Sequence, residues 1–424
     1  MNKKILMLPA ALLMGALTLT SCSSSDDDDN NNNTTTTEEQ YKDRTYGNQA
    51  IDACASVSTA LTRANSTIVS ASLTAEQETF LRNVLSGLVS NVIVPTYTQL
   101  ATDVEDLEKT LNGLTVQTIT QAQIDKACDD FKKARKNWEQ SEAFLMGAAQ
   151  DFDIDPTIDS WPLNRSLLLT YFNTGMSDEM LEDASILGFH ALEFILFRNG
   201  QNRKVSELQG NDTYTGFTAI SGAKELAYAQ TICTLLKQRC CQLQVAWEGE
   251  TAANAARVAI VKAAKLEYTT EAGLSYAQNL TTAGTAGSKS VFPTLKAAIT
   301  QVLSASEGSC LGIANEVGTA KITNPFANGD IAYVESPYSY NSISDFQDNL
   351  RSVRNVWYGS TDGTVAANSF AKFFESVNTQ VEVEANTLNA ITKIGAMPAP
   401  FVKYCSVVWG KNFDDMTNWE STSE

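Results

Sequence analysis

The amino-acid sequence predicts an all-α protein built from two helical bundles. Three observations carry this. Apolar residues return at three- and four-residue spacing along most of the chain, no stretch alternates persuasively in the manner of a half-buried strand, and 424 residues fit two domains of about 100–200 residues each. With 43% apolar and 19% charged residues, the chain can bury a sizeable core.

The N-terminus stands apart from the helical pattern. Met1-Asn2-Lys3-Lys4 is basic, Ile5 to Leu19 is apolar, and Leu19-Thr20-Ser21-Cys22 resembles the bacterial lipobox, whose cysteine becomes the first mature residue and carries acyl chains. Residues 1–21 therefore read as a lipoprotein signal peptide, too short for a spanning helix, and Cys22 as the lipidation site that anchors the body to a membrane. Residues 22–40 read as a disordered acidic tether, since SSSDDDDNNNNTTTTEEQ offers nothing apolar to bury. The serines and acids after Cys22 are either a spacer or similar to a surface-export signal. The expected location is the bacterial outer membrane, facing the periplasm or the cell surface.

Beyond the tether, Phe80, Leu81, Val84, Leu85, Leu88, Val89, Val92 and Ile93 fall on one helical face, and Pro95 is expected to kink or end that helix. Ala127, Phe131, Ala134, Trp138, Ser141 and Leu145 step by four, three, four, three and four, the spacing of a bundle seam. Further helices are expected near 178–198, 219–247, 254–280, 291–316, 342–357 and 366–394, with parts of 201–217 and 318–341 irregular. The polar stretch from Gln201 to Thr218 suggests a boundary between an N-terminal bundle, 41–215, and a C-terminal bundle, 216–424.

Charge and rare residues narrow the function. Thirty-one basic residues against 49 acids give a net charge of −18, which argues against nucleic acid, whose phosphates need a clustered basic surface. Seven cysteines follow Cys22 without CxxC or Cys/His spacing, so a structural zinc site is not expected and several read as small apolar fillers. Gly284-Thr-Ala-Gly287-Ser-Lys289-Ser290 has the wrong glycine-to-lysine spacing for a phosphate loop, and no nucleotide or flavin is expected.

The single histidine, His190, lies in Ile186 to Phe197, ILGFHALEFILF, where Glu193 is the only other ionisable residue. A helix apolar all round is a buried helix, and a spacing of three sets both side chains on one face. The pair is either a satisfied structural couple fixing register or a shared ligand set of imidazole and carboxylate. Glu142, one turn after Trp138 beside the seam, points inward or flanks the helix in solvent.

Gly188-Phe189-His190-Ala191-Leu192-Glu193 resembles the GxHxxE motif of the imelysin-like family. Neighbouring segments agree in order: Trp138 with Ser141-Glu142-Ala143-Phe144 and Gly147, Ser160-Trp161-Pro162-Leu163, Ser336-Pro337-Tyr338-Ser339-Tyr340-Asn341, Asp345-Phe346, Asn349-Leu350-Arg351 and Trp357-Tyr358-Gly359. The serine-rich segment departs from the cysteine-containing form of some members. The resemblance implies two similar four-helix bundles with a functional site at their interface, in envelope proteins associated with iron uptake and formerly classed as metallopeptidases. Carried onto this chain, it implies His190, Glu193 and Glu142 as metal ligands, with Trp161, Ser339, Asn341 and Arg354 lining the site.

These readings together predict a lipid-anchored envelope protein that binds a metal ion or small metal complex, iron or another divalent metal, in iron uptake with an outer-membrane transport partner. The alternatives are a metallopeptidase and an interaction protein for another envelope component. One histidine excludes a zinc hydrolase of the HExxH type, which needs two.

Overall fold

The computed structural model describes residues 36–175, 177, 181–214 and 216–411; the expected signal peptide, Cys22, the expected tether as far as Thr35 and residues 178–180 of the helix expected near 178–198 lie outside them. The described chain is helical, as expected, apart from one hairpin that pairs Phe197–Arg198 with Gln201–Asn202. Its two-residue turn, Asn199 and Gly200, has φ of 49° and 73°, the left-handed pair that matches strand twist. A Cβ on Gly200 would collide with the Tyr340 ring, while the Gly200 N–H donates to the Tyr338 carbonyl at 2.8 Å.

Folding begins inside the segment read as tether. Glu38–Lys42 is a short helix because Thr37 and Gln40 form a reciprocal capping box and Tyr41 is buried, so the tether expectation is corrected from Thr37 onward. Pro95 does not end the helical path. Ala75–Leu88 passes through a π turn, Val89–Ile93, into Val94–Leu111, and Pro95 stands just beyond the π turn, a local widening at which a helix absorbs such an interruption. Part of the 318–341 segment is also ordered as helix, the π-helical Val317–Ala327 and the turn Ile331–Tyr333.

Two groups of helices make the body. Thr45–Ser70 packs on Leu295–Ser304, Cys310–Glu316 and Val383–Gly395, and Ser342–Tyr358 packs on Val383–Gly395. Val94–Leu111 packs on Gln121–Glu139 and Gly222–Glu248, and Gly222–Glu248 also covers Gly188–Leu196 and Ala255–Ala263. The first long helix therefore lies with helices from the end of the chain, and the helix following residue 215 lies with helices before it. The sequence halves are interleaved. The groups touch where Gln121–Glu139 and the turn Glu142–Phe144 meet Ser342–Tyr358.

All seven described cysteines are free and buried, consistent with small apolar fillers. No described helix is long and apolar enough to cross a membrane.

Candidate functional site

The site starts from a glycine. Gly188 opens the buried Gly188–Leu196 helix at φ 72°, and a Cβ there would run into the Ile158 carbonyl. That close approach sets the His190 helix on the C-terminal end of Ile154–Asp159 and brings Asp159 to the imidazole. His190, 2% exposed, has Nδ1 3.2 Å from Glu193 Oε2 and Nε2 3.0 Å from Asp159 Oδ1. Glu335 Oε1 lies 4.0 Å from the same Nε2. Although Asp159 is close, it is off the line of a good hydrogen bond, and Nε2 has no aligned partner.

Arg135 occupies the middle of this network. Its guanidinium contacts Asp159 Oδ1, reaches Glu335 Oε1 at 2.6 Å and Glu139 Oε1 at 2.5 Å, and sets Nε 3.5 Å from Asp345 Oδ2. Trp138 Nε1 donates to Asp159 Oδ2 at 2.7 Å, and Lys321 Nζ lies 3.0 Å from Glu335 Oε2. The seam helix that carries Arg135 and Trp138 ends at Glu139, where the Ser141 hydroxyl donates to the Trp138 carbonyl at 2.6 Å. Glu142 is thus presented by a 3-10 turn rather than by the expected helical seam.

Burial and neighbouring charge divide the titrating groups. Burial and Arg135 push the His190 imidazole down, but the Asp159 carboxylate close beside Nε2 and the hydrogen bond to Glu193 outweigh them and raise it to about 9. Burial pushes the Asp159 carboxyl up; Arg135, the adjoining His190 and Lys321 together hold it well below the usual range. Burial drives Glu139 and Glu142 well above it. Burial, then the charges of Asp159 and Glu316, lifts Asp155 to about 7, and burial lifts Asp345 to about 6.

A crevice of about 580 Å³ opens on one flank of the network, with Glu142, Asp159 and Trp161 in its wall. Glu142 is 6% exposed and accepts no hydrogen bond from any described residue. One oxygen each from Glu139, Glu142 and Asp159 can be drawn from within 4.8 Å of one another, as can one ligand atom each from Asp159, His190 and Glu335.

The expected site residues therefore divide. His190 and Glu193 are side by side, but Glu193 Oε1 takes the N–H groups of Tyr338 and Ser339 at 3.0 and 2.8 Å and the Ser339 hydroxyl at 2.6 Å. Its lone pairs are used, and it belongs to neither cluster of three. Glu142 joins His190 only through Asp159. Trp161 lies 6.3 Å from the imidazole ring, centroid to centroid, and its indole N–H donates to the Tyr333 carbonyl. Asn341 donates to Asp345. Arg354 donates to Asn355 Oδ1 and lies beside the Gly363 turn, outside the crevice wall.

Asp159, Glu335, Arg135, Glu139, Asp345 and Lys321 were not anticipated. Lys321 had a signal, being the only charge in the apolar run Val317 to Phe326. Arg135 lies in the basic run Lys132-Lys133-Ala134-Arg135-Lys136, where nothing distinguishes a buried cation from solvated ones.

A resident metal fits these clusters unequally. Around His190 the carboxylates Asp159 and Glu335 are already bridged by Arg135, so the cation there is the protein's own. In the Glu139–Glu142–Asp159 cluster Arg135 likewise engages Glu139 and Asp159, but Glu142 has no donor and lines the crevice with Asp159, and the three offer oxygen alone, a donor set suited to hard cations.

Fold and site thus define an all-helical protein with a carboxylate-rich buried centre opening on an acidic crevice. The chain belongs to the imelysin family: the imelysin (peptidase M75) model matches residues 93–407. It is similar to iron-regulated protein A of Synechococcus elongatus, 26% identical over 318 residues, which covers 74% of this chain and 76% of that protein. Its fold is that of an iron-regulated protein A precursor from Parabacteroides distasonis, with a TM-score of 0.58 at 23% identity over 80% of this chain and 96% of the other. An imelysin-like protein from Psychrobacter arcticum gives a TM-score of 0.47 at 15% identity, covering 82% and 95% of the two chains.

Proposed function

We propose that this protein captures a hard metal cation, iron as its physiological cargo, through the crevice-facing carboxylates Glu142 and Asp159 with Glu139 behind them. The observation that carries this is Glu142: a nearly buried carboxylate without a donor is costly, and a cation entering the crevice relieves that cost. The assignment to iron rests on the similarity to iron-regulated protein A of Synechococcus elongatus. His190 and Glu193 are positioning residues in this reading, holding Asp159 from behind. Binding needs no general base, whereas peptide hydrolysis would, and the one imidazole is fixed between two carboxylates.

The same reading includes an anchor. The lipobox-like Leu19 to Cys22 segment supports an outer-membrane lipoprotein that passes its cargo to a transport partner.

Calorimetric titration of the purified protein with Mn²⁺ and with anaerobic Fe²⁺ tests capture. Binding is expected in the wild type and should weaken about tenfold or more in Glu142→Gln, which removes one ligand charge at constant shape. Absence of heat with both ions, or an unchanged affinity in Glu142→Gln, overturns the proposal.

A further inference from the structure

The crevice wall carries information about the form in which the cargo arrives, an inference that rests on the capture reading above. Six carboxylates line it, those of Glu142, Asp153, Asp155, Asp159, Glu307 and Glu316, against one basic side chain, Lys321. That lysine is not available to an incoming anion. Its ammonium is buried, lies 3.0 Å from Glu335 Oε2 and sits 4.9 Å from the centroid of the Trp161 ring. No arginine contributes to the wall, so the bidentate donor that recognises carboxylate or phosphate groups is missing there.

Size argues in the same direction. A stripped ion needs only the three oxygens of Glu139, Glu142 and Asp159, which meet within 4.8 Å, whereas the crevice encloses about 580 Å³. The remaining acids lie on three separate chain segments, around Asp153–Asp155, at Glu307 and at Glu316. Their oxygens can accept hydrogen bonds from metal-bound water without replacing it. A cavity lined by one sign of charge also concentrates ions of the other sign and repels its own. Glu142 supplies the separate mark of a ligand site, being nearly buried, unpartnered and part of the crevice wall.

We propose that the crevice admits its cargo as a hydrated cation, held first through its water shell by the outer carboxylates, and rejects anionic chelates of the same metal. Hexaamminecobalt(III) is the probe for this, because its ammine shell donates hydrogen bonds as metal-bound water does yet does not exchange for carboxylate ligands. The full chain is titrated with hexaamminecobalt(III), with Mn²⁺ and with ferric citrate. Hexaamminecobalt(III) is expected to bind and compete with Mn²⁺, and ferric citrate to do neither.

Glu307→Gln, at an exposed position whose loss leaves packing intact, is expected to weaken hexaamminecobalt(III) several-fold. Glu142→Gln is expected to weaken Mn²⁺ more than the cobalt complex. If Mn²⁺ binds while hexaamminecobalt(III) does not, or if ferric citrate binds as tightly as Mn²⁺, this proposal is overturned and capture itself stands. If Mn²⁺ and Fe²⁺ both fail to bind, capture falls and this proposal with it.

Discussion

Ser339 grips Glu193 twice, with its backbone N–H at 2.8 Å and its hydroxyl at 2.6 Å from the same carboxylate oxygen. The other oxygen is thereby left to meet His190 Nδ1 at 3.2 Å. This makes the glutamate of the GxHxxE motif a fixed strut between the segment around residue 339 and the imidazole. Replacing it by alanine strands two buried N–H groups and a hydroxyl, and breaks a buried charged pair, for a loss of about 3–5 kcal/mol. Glu193→Ala is expected to lower the urea midpoint sharply while the folded protein loses far less Mn²⁺ affinity than Glu142→Gln does. A loss of affinity matching that of Glu142→Gln, with stability intact, would show Glu193 to be a ligand instead.

Arg135 is the internal counter-ion of the site. It touches Glu139, Asp159 and Glu335, all buried, so Arg135→Ala leaves several carboxylates uncompensated and should cost about 3–5 kcal/mol or more. A cation is one remedy for the surplus negative charge. Mn²⁺ is therefore expected to raise the melting temperature of Arg135→Ala by more than that of the wild type. Thermal melts with Mn²⁺ and with a chelator decide the matter, and an equal or smaller rise in the variant would separate Arg135 from the cation site.

The helical class and the burial of His190 and Glu193 were legible because spacing and the absence of competing charges are local properties of sequence, whereas the same spacing left Glu142 open between an inward and a solvated position. The glycine of GxHxxE also has a local cause, since φ of 72° and the Ile158 carbonyl leave no room for a side chain. What was not legible is mostly pairing over distance. Arg135 and Glu335 are separated by 200 positions, and neither has a neighbour in sequence that announces the other. The interleaving of helices is likewise invisible, because an apolar stripe on Thr45–Ser70 says that it is buried, not that Val383–Gly395 covers it. The seam ending at Glu139 escaped for a subtler reason. Ser141 and Leu145 keep the spacing and the burial of a helix after the backbone has left it.

The buried carboxyls also fix how stability responds to pH. Asp345 and Asp155, raised mainly by burial to about 6 and about 7, hold protons that the unfolded chain would release near 3.8, and Glu139 and Glu142 are raised further in the same direction. His190, at about 9 against 6.5, likewise holds its proton more tightly when folded. Between these limits the folded state binds more protons than the unfolded state, so stability falls as pH rises. Asp159 has the opposite sign: its contribution is present above its unfolded value of 3.8 and is lost only in stronger acid, below this range. In the presence of a chelator, the melting temperature at constant ionic strength is expected to fall between pH 5 and pH 9. The carboxyls contribute from the acidic end, and the His190 contribution is lost as pH rises through about 9. Because a cation replaces the protons on Glu139 and Glu142, Mn²⁺ should stabilise the protein more at pH 8 than at pH 5. A melting temperature that is flat or rises across this range would mean that the buried carboxylates are ionised and compensated in the folded protein, removing the electrostatic reason for a cation to enter.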